Sequence, residues 1–360
     1  MTDETTYSGV AFLGDPLEPR PVTIVVEAGI ITRIEDEKRV PDRWICPAFF
    51  NAHTHLADTV AMDIPCSGDL ESLVSPPHGL KHQILAKTPP EDLVEAMRSS
   101  VLSMIKTGTA GFIDFREGGA VGVSYLQEAC KDLSSHPVIL GREGGEEISD
   151  GAGISSARDI SSYEEIVSRM KKTGKLIAFH AGERDSADID AALACEPDIL
   201  VHGTHAGPHQ IRAIADAGIP VVICPRSNFL LGATTSSDHP PVREMREQGV
   251  EILIGTDNAM FVQPDMMQEI SFAHTVYRIP AEELLSSATR GFSAAGIDHT
   301  IREGNWANFN VIDYSDSNLR FSHDPVTSVV KRSPTAQICA SIFYVESKLI
   351  NHPFGGGPHV

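Results

Sequence analysis

Apolar positions along this chain fall into two textures. Near the N-terminus, Val22-Thr23-Ile24-Val25-Val26 and Gly29-Ile30-Ile31-Thr32-Arg33-Ile34 are β-branched runs bounded by Pro21 and Gly29, which predicts a hairpin of a small β unit. Beyond about residue 303 the same texture returns in Phe309-Asn310-Val311-Ile312-Asp313 and Ala340-Ser341-Ile342-Phe343-Tyr344-Val345, and residues 353–358 read as loose. Between these ends, short apolar runs at 44–50, 110–115, 137–140, 148–154, 175–179, 198–201, 219–224 and 251–254 read as buried strands. Helical periodicity separates several of them, at 90–106, 163–173, 209–217 and 241–248. Strand–helix alternation repeated about eight times over roughly 250 residues predicts an α/β chain built around a (β/α)8 barrel. A doubly wound sheet is the alternative, but no glycine-rich phosphate fingerprint follows an early strand.

Composition narrows the setting. With 360 residues, 41% apolar and 22% charged, the chain exceeds one small module and is not a disordered sequence. Its 29 basic and 49 acidic residues give a net charge of −20, which disfavours nucleic acid and anionic membranes as partners. No charge-free apolar run reaches the roughly 18 residues needed to span a bilayer. The acidic start Met1-Thr2-Asp3-Glu4 is unlike a signal peptide, so the expected location is cytoplasmic. Six scattered cysteines without a CxxC pair fit free thiols in a reducing compartment better than disulfides or a thiolate zinc site.

Candidate chemistry gathers at the predicted strand ends, where barrels place their active sites. The first run leads into Asn51-Ala52-His53-Thr54-His55, and two histidines at i and i+2 on a strand face the same side. The fifth ends in His180-Ala181-Gly182-Glu183, the sixth in Val201-His202-Gly203, and the eighth in Gly255-Thr256-Asp257. Either histidine at the fifth or sixth strand alone reads best as a hydrogen-bonded core residue. Imidazoles and a carboxylate at four strand ends together read as a pocket for one divalent cation, zinc, iron(II) or manganese(II). His205, His209, His239, His274, His299, His323, His352 and His359 read as solvated positions.

These stretches, with Pro47–Leu56 and Cys224-Pro225-Arg226-Ser227-Asn228, make the chain resemble the amidohydrolase superfamily. The branch it is similar to holds cytosine, guanine and S-adenosylhomocysteine-type deaminases and triazine chlorohydrolases. The resemblance implies a metal-bearing barrel over 47–302 and a small β-sandwich assembled from 1–46 and 303–360. It implies His53, His55, His180 and Asp257 as metal ligands and His202 as the residue that orients the water. It also makes Glu183, three residues after His180, the acid/base. Binuclear members carry a carboxylated lysine on the fourth strand, and the run ending Ile154-Ser155-Ser156-Ala157-Arg158 has none, so one ion per chain is expected.

Such an ion would lower the pKa of its water toward ~7, and Glu183 could protonate a ring nitrogen if burial raises its own pKa. The reading is therefore a hydrolytic deaminase of an aminated purine, pyrimidine, pterin or related small molecule, in which a hydroxide generated on the metal displaces ammonia. The alternative is hydrolysis of another non-peptide C–N bond, or of a chlorinated or formimino substrate, at the same site. Arg116 and Arg142, at the second and third strand ends, can bind an anionic substrate group or pair with Glu143 and Glu117. His78, in the long segment 63–85 expected to cover the pocket, and Asn228 complete the candidate substrate contacts. A homodimer or larger homo-oligomer is the family's habit.

Overall fold

The computed structural model describes residues 4–64, 68, 70–298, 300–332, 337–345 and 348–353. Its strands, in chain order, are β1 (Glu4–Leu13), β2 (Glu18–Glu27), β3 (Ile30–Asp36), β4 (Arg43–Pro47), β5 (Phe49–His55), β6 (Thr109–Arg116), β7 (His136–Gly141) and β8 (Gly151–Ile154). They continue with β9 (Leu176–Ala181), β10 (Ile199–His202), β11 (Val221–Ile223), β12 (Ile252–Ile254), β13 (Asp257–Asn258), β14 (Phe309–Asp313), β15 (Ile338–Val345) and β16 (Lys348–Pro353).

A nine-stranded, all-parallel sheet runs in the order β12-β11-β10-β9-β8-β7-β6-β5-β13. Every residue of β5 and β6 is buried, as expected for parallel strands covered on both faces. The sheet curls until one short segment touches both of its margins. Gly255 N donates to Ile223 O at 3.0 Å on the β11 side, and Thr256 N to His53 O at 3.1 Å on the β5 side. Asn51 clasps the same segment, donating to Thr256 Oγ1 at 2.7 Å and accepting from Thr256 N at 3.0 Å. Gly255 has no alternative here, because a Cβ would lie 2.7 Å from His53 Cβ.

Helices follow most strands. Those labelled here are α1 (Leu70–Val74), α2 (Leu80–Leu85), α3 (Pro90–Lys106) and α4 (Gly119–Cys130). The long α3 shows the logic: Pro90, Glu91 and Asp92 favour its first turn and Lys106 its last, while Met97, Val101, Met104 and Ile105 bury one stripe.

Both termini build a second sheet, ordered β16-β15-β14-β4-β1-β2-β3. The described strands hydrogen-bond in this single order of seven, which does not by itself confirm the sandwich suggested by the resemblance. One apolar cluster still joins the two ends, packing Ile24, Ile31 and Ile45 with Phe309, Val311 and Ile342. The run 44–50 also divides where one strand was expected. β4 belongs to the terminal sheet and β5 to the parallel one, with the break at Pro47, which lacks an N–H, and Ala48, whose N–H donates to Asn308 O at 3.1 Å. No described helix is long and apolar enough to cross a membrane. The five described cysteines are free thiols, and Cys66 and residues 354–358 lie outside the described residues.

Candidate metal centre

The donor atoms of His53, His55, His180 and Asp257 lie within 4.8 Å of one another, all buried. His180 Nε2 is 3.1 Å from His53 Nε2, and Asp257 Oδ1 is 3.2 Å from His53 Nε2 and 3.5 Å from His55 Nε2. A tetrahedral ion with bonds of about 2.0–2.1 Å separates its ligand atoms by about 3.3–3.4 Å, so the cluster matches the edge of one such polyhedron. The protonation states agree. Burial pushes His53 down to about 4 and His55 and His180 well below the usual histidine value, so all three rings are neutral at pH 7. Burial alone would raise Asp257, but the His53 hydrogen bond and the surrounding imidazoles of His53, His202 and His55 hold it well below the carboxylate range. The residues present fit a divalent cation of the zinc type.

Three of the four ligands meet a polar group behind them, whereas the buried Nδ1 of His53 has no hydrogen-bond partner among the described residues. His180 Nδ1 lies 3.2 Å from both Ile154 O and Arg142 Nη2; with its proton toward the carbonyl, Nε2 turns a lone pair to the cluster. Asp257 Oδ2 accepts from Ser227 Oγ at 2.7 Å. His55 Nδ1 lies 2.9 Å from Glu117 Oε1, with the ring N–H turned off the carboxylate axis. His202 and Asp257 have φ of 76° and 62°, left-handed conformations costing roughly 1–3 kcal/mol for a residue with a side chain. Strain at the end of β10 and the start of β13 marks this rim as built for something other than stability.

His202, Glu183 and Asp257 form a second group at the mouth. Glu183 Oε2 is 3.7 Å from His202 Nε2, and burial raises the Glu183 pKa, the nearby imidazole opposing it. His202 Nδ1 donates to Asn228 Oδ1 at 3.2 Å, and Asn228 Nδ2 donates to Thr204 Oγ1 at 3.2 Å. Above them opens a narrow cleft lined by His55, Lys81, Arg142, His180, Glu183, Arg184, His202 and Asp257.

The four residues considered for substrate contact separate. Arg142 lines the cleft, while its guanidinium also bonds Gly153 O at 2.8 Å and Glu117 Oε1 at 3.3 Å. Arg116 is buried away from the cleft, bonded to Asp114 and Glu117. Asn228 is fully buried behind His202, and His78 is exposed and outside the cleft lining. His239 is exposed, as expected, with its ring Nδ1 3.0 Å from Thr204 O, whereas His274 is half-buried and bonds Ile279 O at 2.8 Å; His299 and His359 lie outside the described residues.

Sequence reasoning missed the charged layer under the site. Lys81 Nζ lies 2.8 Å from Glu117 Oε1 and 3.1 Å from Asp58 Oδ2, all three buried. Burial would lower the lysine, yet Asp58 and Glu117 hold its pKa above the usual value. Burial would raise Glu117, yet Lys81, His55 and Arg116 hold it well below the usual range.

Comparison with known proteins places this arrangement. A Methanothermobacter thermautotrophicus protein, provisionally named an aminohydrolase, is 34% identical over 95% of this chain and 98% of its own. The 5-methylthioadenosine/S-adenosylhomocysteine deaminase of Halobacterium salinarum is 25% identical over 91% of this chain and 88% of its own. Among solved structures, the zinc complex of an atrazine chlorohydrolase from Arthrobacter aurescens shares the fold, with a TM-score of 0.77 at 15% identity over 94% of this chain and 93% of that one. The amidohydrolase family profile matches residues 44–344. This chain belongs to the amidohydrolase family.

Proposed function

We propose that the site is a mononuclear deaminase centre that hydrolyses an aminated heterocycle to its oxo product and ammonia, within a (β/α)8 barrel formed by residues 47–302. The segments 1–46 and 303–360 form its companion domain in this reading. The observation that carries it is Glu183, an uncoordinated carboxylate with a raised pKa, next to a four-donor cation cluster. The relative named for deamination of adenosine-type compounds supports the same chemistry.

His53, His55, His180 and Asp257 would hold one divalent ion, zinc being the natural candidate. When bound, the ion supplies Lewis acidity toward water and substrate. The remaining work falls to the chain. His202, fixed by Asn228, presents Nε2 to the cleft and orients the attacking water. Asp257, steadied by Ser227, takes a proton from that water as the C–O bond forms. Glu183 delivers a proton to the ring nitrogen next to the amine-bearing carbon, making it electrophilic. The proton held by Asp257 then passes to the amino group, the C–N bond breaks as the new hydroxyl returns a proton to Glu183, and the oxo product and ammonia leave.

The test is ammonia release from a panel of purines, adenosine derivatives, pyrimidines, pterins and amino-triazines by zinc-loaded protein, alongside Glu183→Gln. Turnover of at least one amine, lowered about 10²–10⁴-fold in the variant with zinc retained, is expected. Chloride release from a chlorotriazine without ammonia from any amine would move the assignment to a different leaving group.

A further inference from the structure

The segment covering the cleft is fastened in an unusual way. In α1 and α2 the fully buried side chains are Leu73 and Lys81, one apolar and one charged. A second pocket of about 300 Å³, lined by Pro77, His82, Leu85, Met97, Arg116 and Glu117, lies along α2, so apolar packing there is incomplete. The firm attachments are polar: Arg184 donates to Ser75 Oγ at 2.8 Å, and Lys81 reaches inward to Asp58 and Glu117.

Lys81 enters a closed set of charges. Lys81, Arg116 and Arg142 face Asp58, Asp114 and Glu117, three cations against three carboxylates, all buried. Glu117 is the hub. Its Oε2 takes Arg116, and its Oε1 meets Lys81 at 2.8 Å, Arg142 at 3.3 Å and His55 Nδ1 at 2.9 Å. Without Lys81, Glu117 Oε1 loses its closest cation, and Asp58, which burial already pushes up to about 7, loses its ion pair.

We infer that Lys81 is a positioning residue for the metal centre: it holds Glu117 against His55 Nδ1, so seating of the segment 70–86 and orientation of the His55 ligand are one coupled event. Lys81 touches no ligand and acts through Glu117. Because coupling is reciprocal, metal binding must tighten the segment as much as the seated segment tightens metal binding. The inference rests on the metal reading of the site and not on which substrate is hydrolysed.

Two measurements test it without substrate. The first is hydrogen–deuterium exchange of peptides within 70–86 in the wild-type protein, chelated and zinc-loaded. Slower exchange on zinc binding is expected, and unchanged exchange with zinc bound would overturn the coupling. The second is zinc affinity of Lys81→Met and Lys81→Arg by chelator competition. Removing partners that orient a ligand typically costs about 10–100-fold in affinity. Lys81→Met should fall in that range with a faster-exchanging segment, and Lys81→Arg should recover part of both. A merely structural lysine would lower the melting temperature of Lys81→Met and leave its zinc affinity at the wild-type value, which would refute the role. Should Lys81→Met fail to fold, the wild-type exchange comparison decides alone. A wild-type protein that takes up no zinc would overturn this inference and the metal reading together, whereas zinc binding indifferent to Lys81 would overturn the inference only.

Discussion

Asn228→Ala distinguishes a residue that holds a catalytic group from one that holds substrate. Asn228, His202 and Thr204 are 0%, 1% and 0% exposed, and two hydrogen bonds of 3.2 Å link them. Each bond contributes about 0.5–1.5 kcal/mol net, and a buried imidazole N–H left without an acceptor costs about 1–3 kcal/mol. Thr204 can rotate its hydroxyl, so the expected destabilisation is about 2–4 kcal/mol, short of unfolding a domain of this size. The larger effect is kinetic. With Nδ1 released, the His202 ring can turn about its χ2 axis and Nε2 no longer points steadily into the cleft. Removing a partner of this type typically costs about 10–100-fold, which should fall on kcat while KM stays within about threefold. Asn228→Asp keeps an acceptor for Nδ1 and should recover much of the lost kcat. The assay is steady-state kinetics on the amine that the panel identifies, with bound zinc measured in parallel. If Asn228→Ala raises KM about tenfold or more at unchanged kcat, the side chain contacts substrate and the argument from burial is wrong.

Three further outcomes follow from the geometry. Arg116→Met removes one partner from a buried charge set and should destabilise the fold by about 3–5 kcal/mol in chemical denaturation, with KM of the folded enzyme unchanged; a raised KM in a stable protein would return Arg116 to the substrate. Asp257→Asn should lower both zinc content by elemental analysis and turnover, and a variant holding a full equivalent of zinc would show that Asp257 is not a ligand. In metal-free protein the depressed His53 pKa makes the unfolded chain bind more protons between pH 6.5 and about 4, so stability present above pH 6.5 is lost on acidification through that window. The loss attributable to His53 is at most about 3 kcal/mol, and a stability profile over that range unaltered by His53→Asn would contradict it.

How much of this could be read from the sequence depended on the range of the forces involved. Strands such as β6 and β9 were visible because parallel strands covered on both faces are continuous apolar runs. The four donors were visible because a strand end fixes where a side chain goes, whatever the helices between do. The break between β4 and β5 was hidden, since the run 44–50 stays apolar while the chain changes sheets. Lys81 was hidden for another reason: a lysine in a polar segment is usually solvated, and only tertiary structure brings Asp58 and Glu117 to it. Arg116 and Arg142 share the same motif position, an arginine before glutamate at a strand end, yet one faces the cleft and the other the charged layer below. Residue type alone does not set that direction. The left-handed backbone at His202 and Asp257 has no sequence signal either, since neither is a glycine.

The segment that touches both margins of the parallel sheet also sets a timetable for synthesis. Thr54 and His55 pair with Asp257 and Asn258, so two halves of one ligand set lie about two hundred residues apart in the chain. β4 likewise pairs with β1, made before it, and with β14, which emerges only after residue 308. A chain elongating at about 5–20 residues per second must therefore carry His53 and His55 for ten seconds or more before Asp257 can meet them. Through that interval β5 exposes one edge and β4 another, both apolar and both able to pair with foreign strands. Arrival of β13 closes the first edge and arrival of β14 the second, so the order of synthesis sets how long each stays open.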